Sequence, residues 1–485
     1  MMKVIFLLSA ALLASAHEDC THGRLFVSDA DSTTVHVIDL NESLENLAPE
    51  SSLNVPGKAG INLKATGSMK EVAAMYRGDE TVGFTDGVVS FFDAGVSAIL
   101  HGDHYDIAYR APSMIENAGF ECARVTHYTP HADKIALFCD GTYGDEAVGI
   151  DQENSTVWVI DETKFGDPSE SALVFNMTLQ GSHHGVAIAV DDDHILYSLA
   201  TPDRIARTPG IGETEALPST FVIEDFEGNA IHSLDDTNDP SKSCLGFHGE
   251  WAQDNQFALG CDDNHGGILR VDYNPSTETY SSFAVSYPDG FEGHRTGTFA
   301  GHSEAEHIAA NFAVSGGASN LLAFTTDDSQ ITENMVLPLP VRQCAFAYEK
   351  GSADHILVFL PTGSFHVFEY HDDTWEEKVN VQVVDGMTQC SEALFVAGFG
   401  QAFVLVKESR VIHAIDLDHA DHGRVEISTS TLDFTPFDAV VAGVPTEVAC
   451  ELEGHEHEHS GSAVFTYHVS FYLLLASLIL FQPMV

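Results

Sequence analysis

Positive charge is what this chain has least of. Its 485 residues hold 21 Lys and Arg against 73 Asp and Glu, a formal charge of −52 at pH 7. A surface so negative repels phosphate backbones and anionic headgroups, which excludes a nucleic-acid grip and favours cations or cationic partners. Helical 3.6-residue periodicity is nearly absent, so strands must carry the fold. No Cys-x-x-Cys pair occurs, which argues against a thiolate metal site. Also missing are a Gly-x-Ser-x-Gly elbow and a phosphate-cradling glycine loop, each the mark of a familiar enzyme class.

Apolar residues are plentiful. They make up 44% of the chain, 30 of them Phe, in runs that recur along nearly the whole length, so the chain is not disordered and buries a sizeable core. Histidine numbers 26 and exceeds Lys and Arg together. Acid and imidazole in combination point to metal-ion handling, against the plainer alternative of a solvated acidic surface with ordinary histidines.

Both ends carry addressing signals. Residues 1–16 read as a secretory signal peptide, with Lys3, an apolar core from Val4 to Leu13 and an Ala14-Ser15-Ala16 cleavage site. Residues 451–462 form a His/Glu-rich stalk with His455, His457 and His459, and 463–485 end in an apolar run that fits a GPI-attachment signal better than a single membrane-spanning anchor. The expected address is the outer cell surface. Sequons at Asn41, Asn154 and Asn176 fit that address as glycan sites on exposed loops. So does an even count of 8 cysteines. Pairing is not fixed by sequence, but spacing suggests Cys122 with Cys139 and Cys244 with Cys261 across hairpins. Cys20 with Cys450 would then tie the ends, leaving Cys344 with Cys390.

A short pattern of alternating apolar residues closed by an acid recurs through residues 17–450. It appears at Val35–Asp39, Val89–Asp93, Val157–Asp161, Ile268–Asp272, Phe365–Glu369 and Ile412–Asp416, with weaker copies at Phe221–Asp225 and Leu321–Thr325. The start-to-start intervals are 54, 68, 64, 47, 53, 44 and 47 residues. Turn clusters and a further apolar strand precede most copies, so each unit is a hairpin extended to three or four strands. Such units bury both faces only by stacking around a ring, which predicts an all-β propeller of eight blades, with seven as the alternative because two copies are weak. The strand at Arg24–Asp29 lacks an inner partner and the last strand, Phe437–Gly443, lacks a hairpin. The C-terminal strand is therefore expected to close the ring in blade 1. The closing acids are expected to cap turns.

Aligning the starts of the third, fourth and fifth units superposes RVTHYTPH, GSHHGVAI and LGFHGEWA, placing His127, His184 and His248 at one position. Innermost strands line a propeller's channel, so these imidazoles should meet at one rim, a set suited to zinc, with copper or another divalent ion also compatible. Glu250, His183 and His131 stand nearby as fourth-ligand candidates. A looser cluster, LHGDHYD, offers His101, Asp103, His104 and Asp106 as a flexible loop between blades 2 and 3. The mature N-terminus (His17, Glu18, Asp19, His22) and the stalk histidines are weak collectors of metal.

Taken together, RLFVSDADSTTVHVID, HGDHYD, THYTPH with IALFCDG, SHHGVAIAV and CLGFHGE with ALGC resemble the AztD family of secreted zinc metallochaperones. The similarity runs roughly from Arg24 to Gly443 and is firmest from His101 to Cys261. It implies a β-propeller that binds zinc and passes it to a zinc transporter or its solute-binding protein. It also implies zinc-site candidates at His127, His184 and His248, a mobile accessory loop from His101 to Asp106, and a Cys244–Cys261 disulfide. The tail, the sequons and the extra cysteines depart from a bacterial member and fit a eukaryotic relative. The expectation is a monomeric, membrane-anchored zinc-binding protein rather than an enzyme. A metal-dependent propeller hydrolase or lactonase using Glu250 as base, and a metal-free adhesive propeller, are the alternatives.

Overall fold

The computed structural model describes residues 23–444 apart from 41–43, 45–46, 102–103, 146–148, 201–217, 219, 236–243, 245, 262–266, 286, 289, 292–293, 302–306, 314–318, 326–327, 329, 351–353 and 372–373. The signal peptide, the Cys20–Cys450 pair, Asn41, Asp103, the stalk histidines and the C-terminal apolar run lie outside the described residues.

Eight four-stranded antiparallel sheets follow one another along the chain as propeller blades. All eight acid-closed repeats lie on the third strand from the channel, the weak copies at Thr220–Asp225 and Ser319–Thr325 included. Of the closing acids, Asp161 and Asp416 cap turns as expected, Asp161 Oδ1 accepting from the Thr163 N–H at 3.0 Å and Asp416 Oδ1 from that of Asp418 at 2.9 Å, whereas Asp39 and Asp272 pair with Arg24 and Arg270.

Burial falls from the middle of a blade outwards. The second strand of blade 3, Lys134–Cys139, is buried throughout, because neighbouring blades cover both its faces. The outermost strand of blade 8, Glu426–Thr431, is mostly exposed. The core is accordingly a series of layers between blades: Phe26, Val35 and Val37 of blade 1 pack on Leu63, Val72 and Phe92 of blade 2. Each layer needs the next blade, so the ring must close. Strand Pro436–Gly443 pairs antiparallel with Gly23–Asp29 and becomes the innermost strand of blade 1. Leu25, Phe403 and Val441 then fill the layer between blades 8 and 1.

Three disulfides join the expected partners: Cys122–Cys139, Cys244–Cys261 and Cys344–Cys390, with Cα–Cα separations of 5.8, 5.1 and 4.8 Å. Asn154 is exposed in the short link between strands Ile150–Glu153 and Thr156–Asp161. Asn176, expected on a loop, is instead an exposed residue of the outermost strand of blade 3, Leu173–Thr178.

One placement differs more from expectation. His101 and His104 stand not between blades 2 and 3 but on two paired strands, Val96–His101 and His104–Tyr109, in which His101 pairs with His104. The hairpin is inserted between the third and fourth strands of blade 2. The fourth strand, Ser113–Glu121, has weak alternation and gives little sign of itself in the sequence.

Candidate metal centre

His127 lies on the innermost strand of blade 3, Val125–His131, His248 on that of blade 5, Phe247–Gln253, and His184 just before that of blade 4, Ala187–Ala189. All three mark where an inner strand begins, at one face of the ring. Local irregularity aims two of them. The register slips between Val125 and His127 in blade 3, and between Phe247 and Glu250 in blade 5, so a bulge breaks the ladder at each histidine. Gly249 holds a φ of +86°, and a Cβ there would stand 2.4 Å from the Gly297 carbonyl oxygen.

The rings converge. Their centroids are 4.8 Å apart for His127 and His184, 5.2 Å for His184 and His248, and 5.9 Å for His127 and His248. His127 Nε2 and His184 Nε2 face each other at 3.0 Å. The opposite nitrogens are held by carboxylates: His127 Nδ1 lies 2.8 Å from Glu250 Oε2, and His184 Nδ1 lies 3.1 Å from Asp140 Oδ2. His248 hydrogen-bonds the Gly297 backbone.

This arrangement settles the tautomers. An ionised carboxylate only accepts, so each Nδ1 carries the proton and, in the neutral rings, both Nε2 lone pairs point at one another. Only a cation between them relieves that opposition. Two ligands of a tetrahedral zinc ion, each about 2.0–2.1 Å from it, lie about 3.3 Å apart, close to the spacing found. Carboxylates behind the imidazoles are also the usual outer partners of metal-bound histidine.

The electrostatics follow. Burial works against charging His127, but the adjacent Glu250 outweighs it and raises the pKa above the ordinary imidazole value. Burial pushes Glu250 up, and the attraction of His127 brings it net below the usual carboxylate value. His248 is pushed down to about 4, by burial first and then by His184 and His127. The cluster can thus share one proton where a metal would sit. Among the described residues no group of three or more His, Cys, Asp or Glu is already set to hold a metal ion. His127 and His184 are the pair whose Nε2 atoms face each other, and the His248 ring stands beside them with its centroid 5.2 Å from that of His184.

The other candidates are engaged elsewhere. His183 is 1% exposed, with Nδ1 3.3 Å from Ser155 Oγ and its ring edge-on to Phe138, and burial lowers its pKa to about 4. Both nitrogens of His131 meet carbonyls, those of Ala189 and Asp254, at 2.7 and 2.9 Å. Glu250 is present, but as the partner of His127; its other oxygen accepts from Thr129 Oγ1 at 2.6 Å. The backbone of the hairpin that carries His101 and His104 leaves the ring at the other face. It is rooted at a connection between third and fourth strands, the face where inner strands end, opposite the face where His127, His184 and His248 stand.

Asp140 went unnoticed in the sequence. It is fully buried, receives Thr126 Oγ1 at 2.5 Å and lies 3.8 Å from Arg124 Nε. Its one signal was position: IALFCD in blade 3 matches FALGCD in blade 5, each ending in Asp after a cystine half.

No family model matches the chain. The zinc chaperone AztD of Citrobacter koseri is 24% identical over 458 residues, covering 92% of each chain. Two solved structures share the fold. Apo AztD from Citrobacter koseri has a TM-score of 0.66 at 19% identity, and a second crystal structure of Citrobacter koseri AztD has 0.67 at 20%; each comparison covers 87% of this chain and 98% of the other. In sequence along nine-tenths of its length, and in fold, this chain is similar to the zinc chaperone AztD of Citrobacter koseri.

Proposed function

We propose that this protein captures a zinc ion at one mouth of its propeller channel, through His127, His184 and His248, and hands it on as a zinc chaperone. The observation that carries the reading is the pair of Nε2 atoms at 3.0 Å, each ring backed at Nδ1 by a buried carboxylate. The similarity to a protein named as a zinc chaperone supports the same cargo. Zinc replaces a shared proton in this scheme, so capture releases a proton and acid drives release. The charge of −52 concentrates divalent cations around the molecule. A hydrolytic reading needs Glu250 as a base, yet both its oxygens are committed, to His127 and Thr129.

The proposed setting is the outer cell surface, after removal of residues 1–16 and attachment near Ser460–Ser462, with a membrane zinc transporter or its binding protein as acceptor. Treating washed cells with a phospholipase that cuts GPI anchors should release the protein; retention would overturn that setting. Zinc capture is tested by titrating the metal-free protein against a fluorescent zinc chelator. About one tightly held ion per chain supports the reading, and binding no stronger than that of a generic acidic surface would overturn it.

A further inference from the structure

Two of the disulfides occupy the same place in blades 3 and 5, and both adjoin the bulges that carry site histidines. Cys139 ends the second strand of blade 3 opposite Val125, and Cys261 ends that of blade 5 opposite Phe247. Their partners, Cys122 and Cys244, stand just ahead of the inner strands, each 17 residues from its mate. All four sulfurs belong to buried residues, between 0% and 2% exposed. Each bond therefore ties the approach to an inner strand, three residues ahead of Val125 or Phe247, the last residue paired before the register slips, to the end of the next strand.

Bulges interrupt ladder hydrogen bonds, leaving the local backbone freer than regular strand. His127 and His248 depend on such segments, and a site tolerates displacements of only about 0.5 Å. Blade 4 has no cysteine at this place. Its histidine is fixed by a buried hydroxyl network instead: Ser155 Oγ and Ser182 Oγ donate to the Asp140 carbonyl at 2.8 and 3.1 Å, and the His183 N–H donates to Ser155 Oγ at 2.9 Å. The third disulfide is different. Cys344–Cys390 links the approach to blade 7 with that to blade 8, and the register of the blade 7 inner strand runs without a slip.

We infer that Cys122–Cys139 and Cys244–Cys261 are positioning clamps, which set the affinity of the histidine cluster by holding its bulges and do not serve chiefly to hold the fold. The inference rests on the metal-site reading for its consequence in zinc binding, but its mechanical part stands without it.

The test replaces each pair by alanine in the full chain: C122A/C139A, C244A/C261A and, as control, C344A/C390A. Three measurements are made on each: amide hydrogen exchange, thermal midpoint, and zinc affinity by chelator competition, with the visible spectrum of bound cobalt(II) as a report of ligand geometry. Both clamp variants should fold, exchange faster at Thr126–Tyr128 or His248–Glu250 respectively, weaken zinc by about 10- to 100-fold, as loss of outer-shell support does, and lose cobalt band intensity. The control should keep native affinity and spectrum whatever its thermal midpoint. Native exchange at the bulges, equal zinc weakening in the control, or failure of either clamp variant to fold would each overturn the inference. If the native protein holds no zinc at these histidines while the bulge amides of the clamp variants still loosen, the metal reading fails and the clamp stands.

Discussion

His127 Nε2 and His184 Nε2 stand 3.0 Å apart, drawn from different blades and from positions 57 residues apart in the chain. Neither ring can turn the offending nitrogen away without giving up its carboxylate, Glu250 or Asp140. The pair is thus held in an arrangement that a shared cation stabilises.

Asp140 and Glu250 should matter to metal binding although neither need touch the metal. Asp140→Asn or Glu250→Gln keeps the shape but loosens control of the tautomer, and each is expected to weaken zinc by about 10- to 100-fold, read by chelator competition. Unchanged affinity in both would detach the carboxylates from the site.

Zinc affinity should fall as pH drops from 8 to 6. Glu250 raises the pKa of His127, so the proton competes for the cluster at a higher pH than it would at an isolated imidazole. His248, pushed down to about 4, stays neutral across this range and adds nothing to the fall. Glu250→Gln removes the carboxylate charge, so in that variant the decline should begin at lower pH. A pH-independent dissociation constant would contradict proton exchange at the site.

Glu349 gives a pH dependence to the fold itself, away from the metal centre. It lies on the inner strand of blade 7, Ala345–Lys350, where burial raises its pKa to about 7 and the Gly400 N–H donates to Oε1 at 2.8 Å. The folded chain holds this proton above the pH at which the unfolded chain has lost it. The associated stability is present below about pH 4.5 and is lost as pH rises through about 7. Glu349→Gln should match the native protein in urea at pH 4.5 and exceed it at pH 8 by roughly 1–3 kcal/mol. Equal midpoints at both pH values would refute the assignment.

The closure seam should carry stability without carrying affinity. Phe403 is fully buried in the layer between blades 8 and 1. Phe403→Ala is expected to cost about 3–5 kcal/mol in urea unfolding and to leave zinc affinity in the folded protein unchanged.

The fold was legible because its repeat is dictated by burial. A third strand has one face turned to each neighbouring blade and ends at a polar turn, so Val157–Asp161 and Ile412–Asp416 show the same alternation and the same terminal acid. Even Leu321–Thr325, where Thr replaces the acid, kept the apolar spacing. Ring closure was legible from an unpaired strand at each end. The convergence of His127, His184 and His248 followed from their equivalent places in consecutive blades. What sequence hid were relations that cross between blades or depend on an insertion. Asp140 belongs to blade 3 yet serves a histidine of blade 4, and a lone acid after Cys139 reads as another turn residue. The sequence around His101 and His104 reads as a connection between blades because Ser113–Glu121, the fourth strand of blade 2, lacks clear alternation, and a hidden strand reverses the face from which an insertion emerges.

Whether His127, His184 and His248 hold the zinc is decided by equilibrium zinc titration of the native protein beside the triple variant His127→Ala, His184→Ala, His248→Ala, with matched circular dichroism to show that both are folded. About one tightly bound zinc per native chain is expected, and none of comparable affinity in the variant. The same stoichiometry and affinity in both would mean that these three histidines do not form the zinc site.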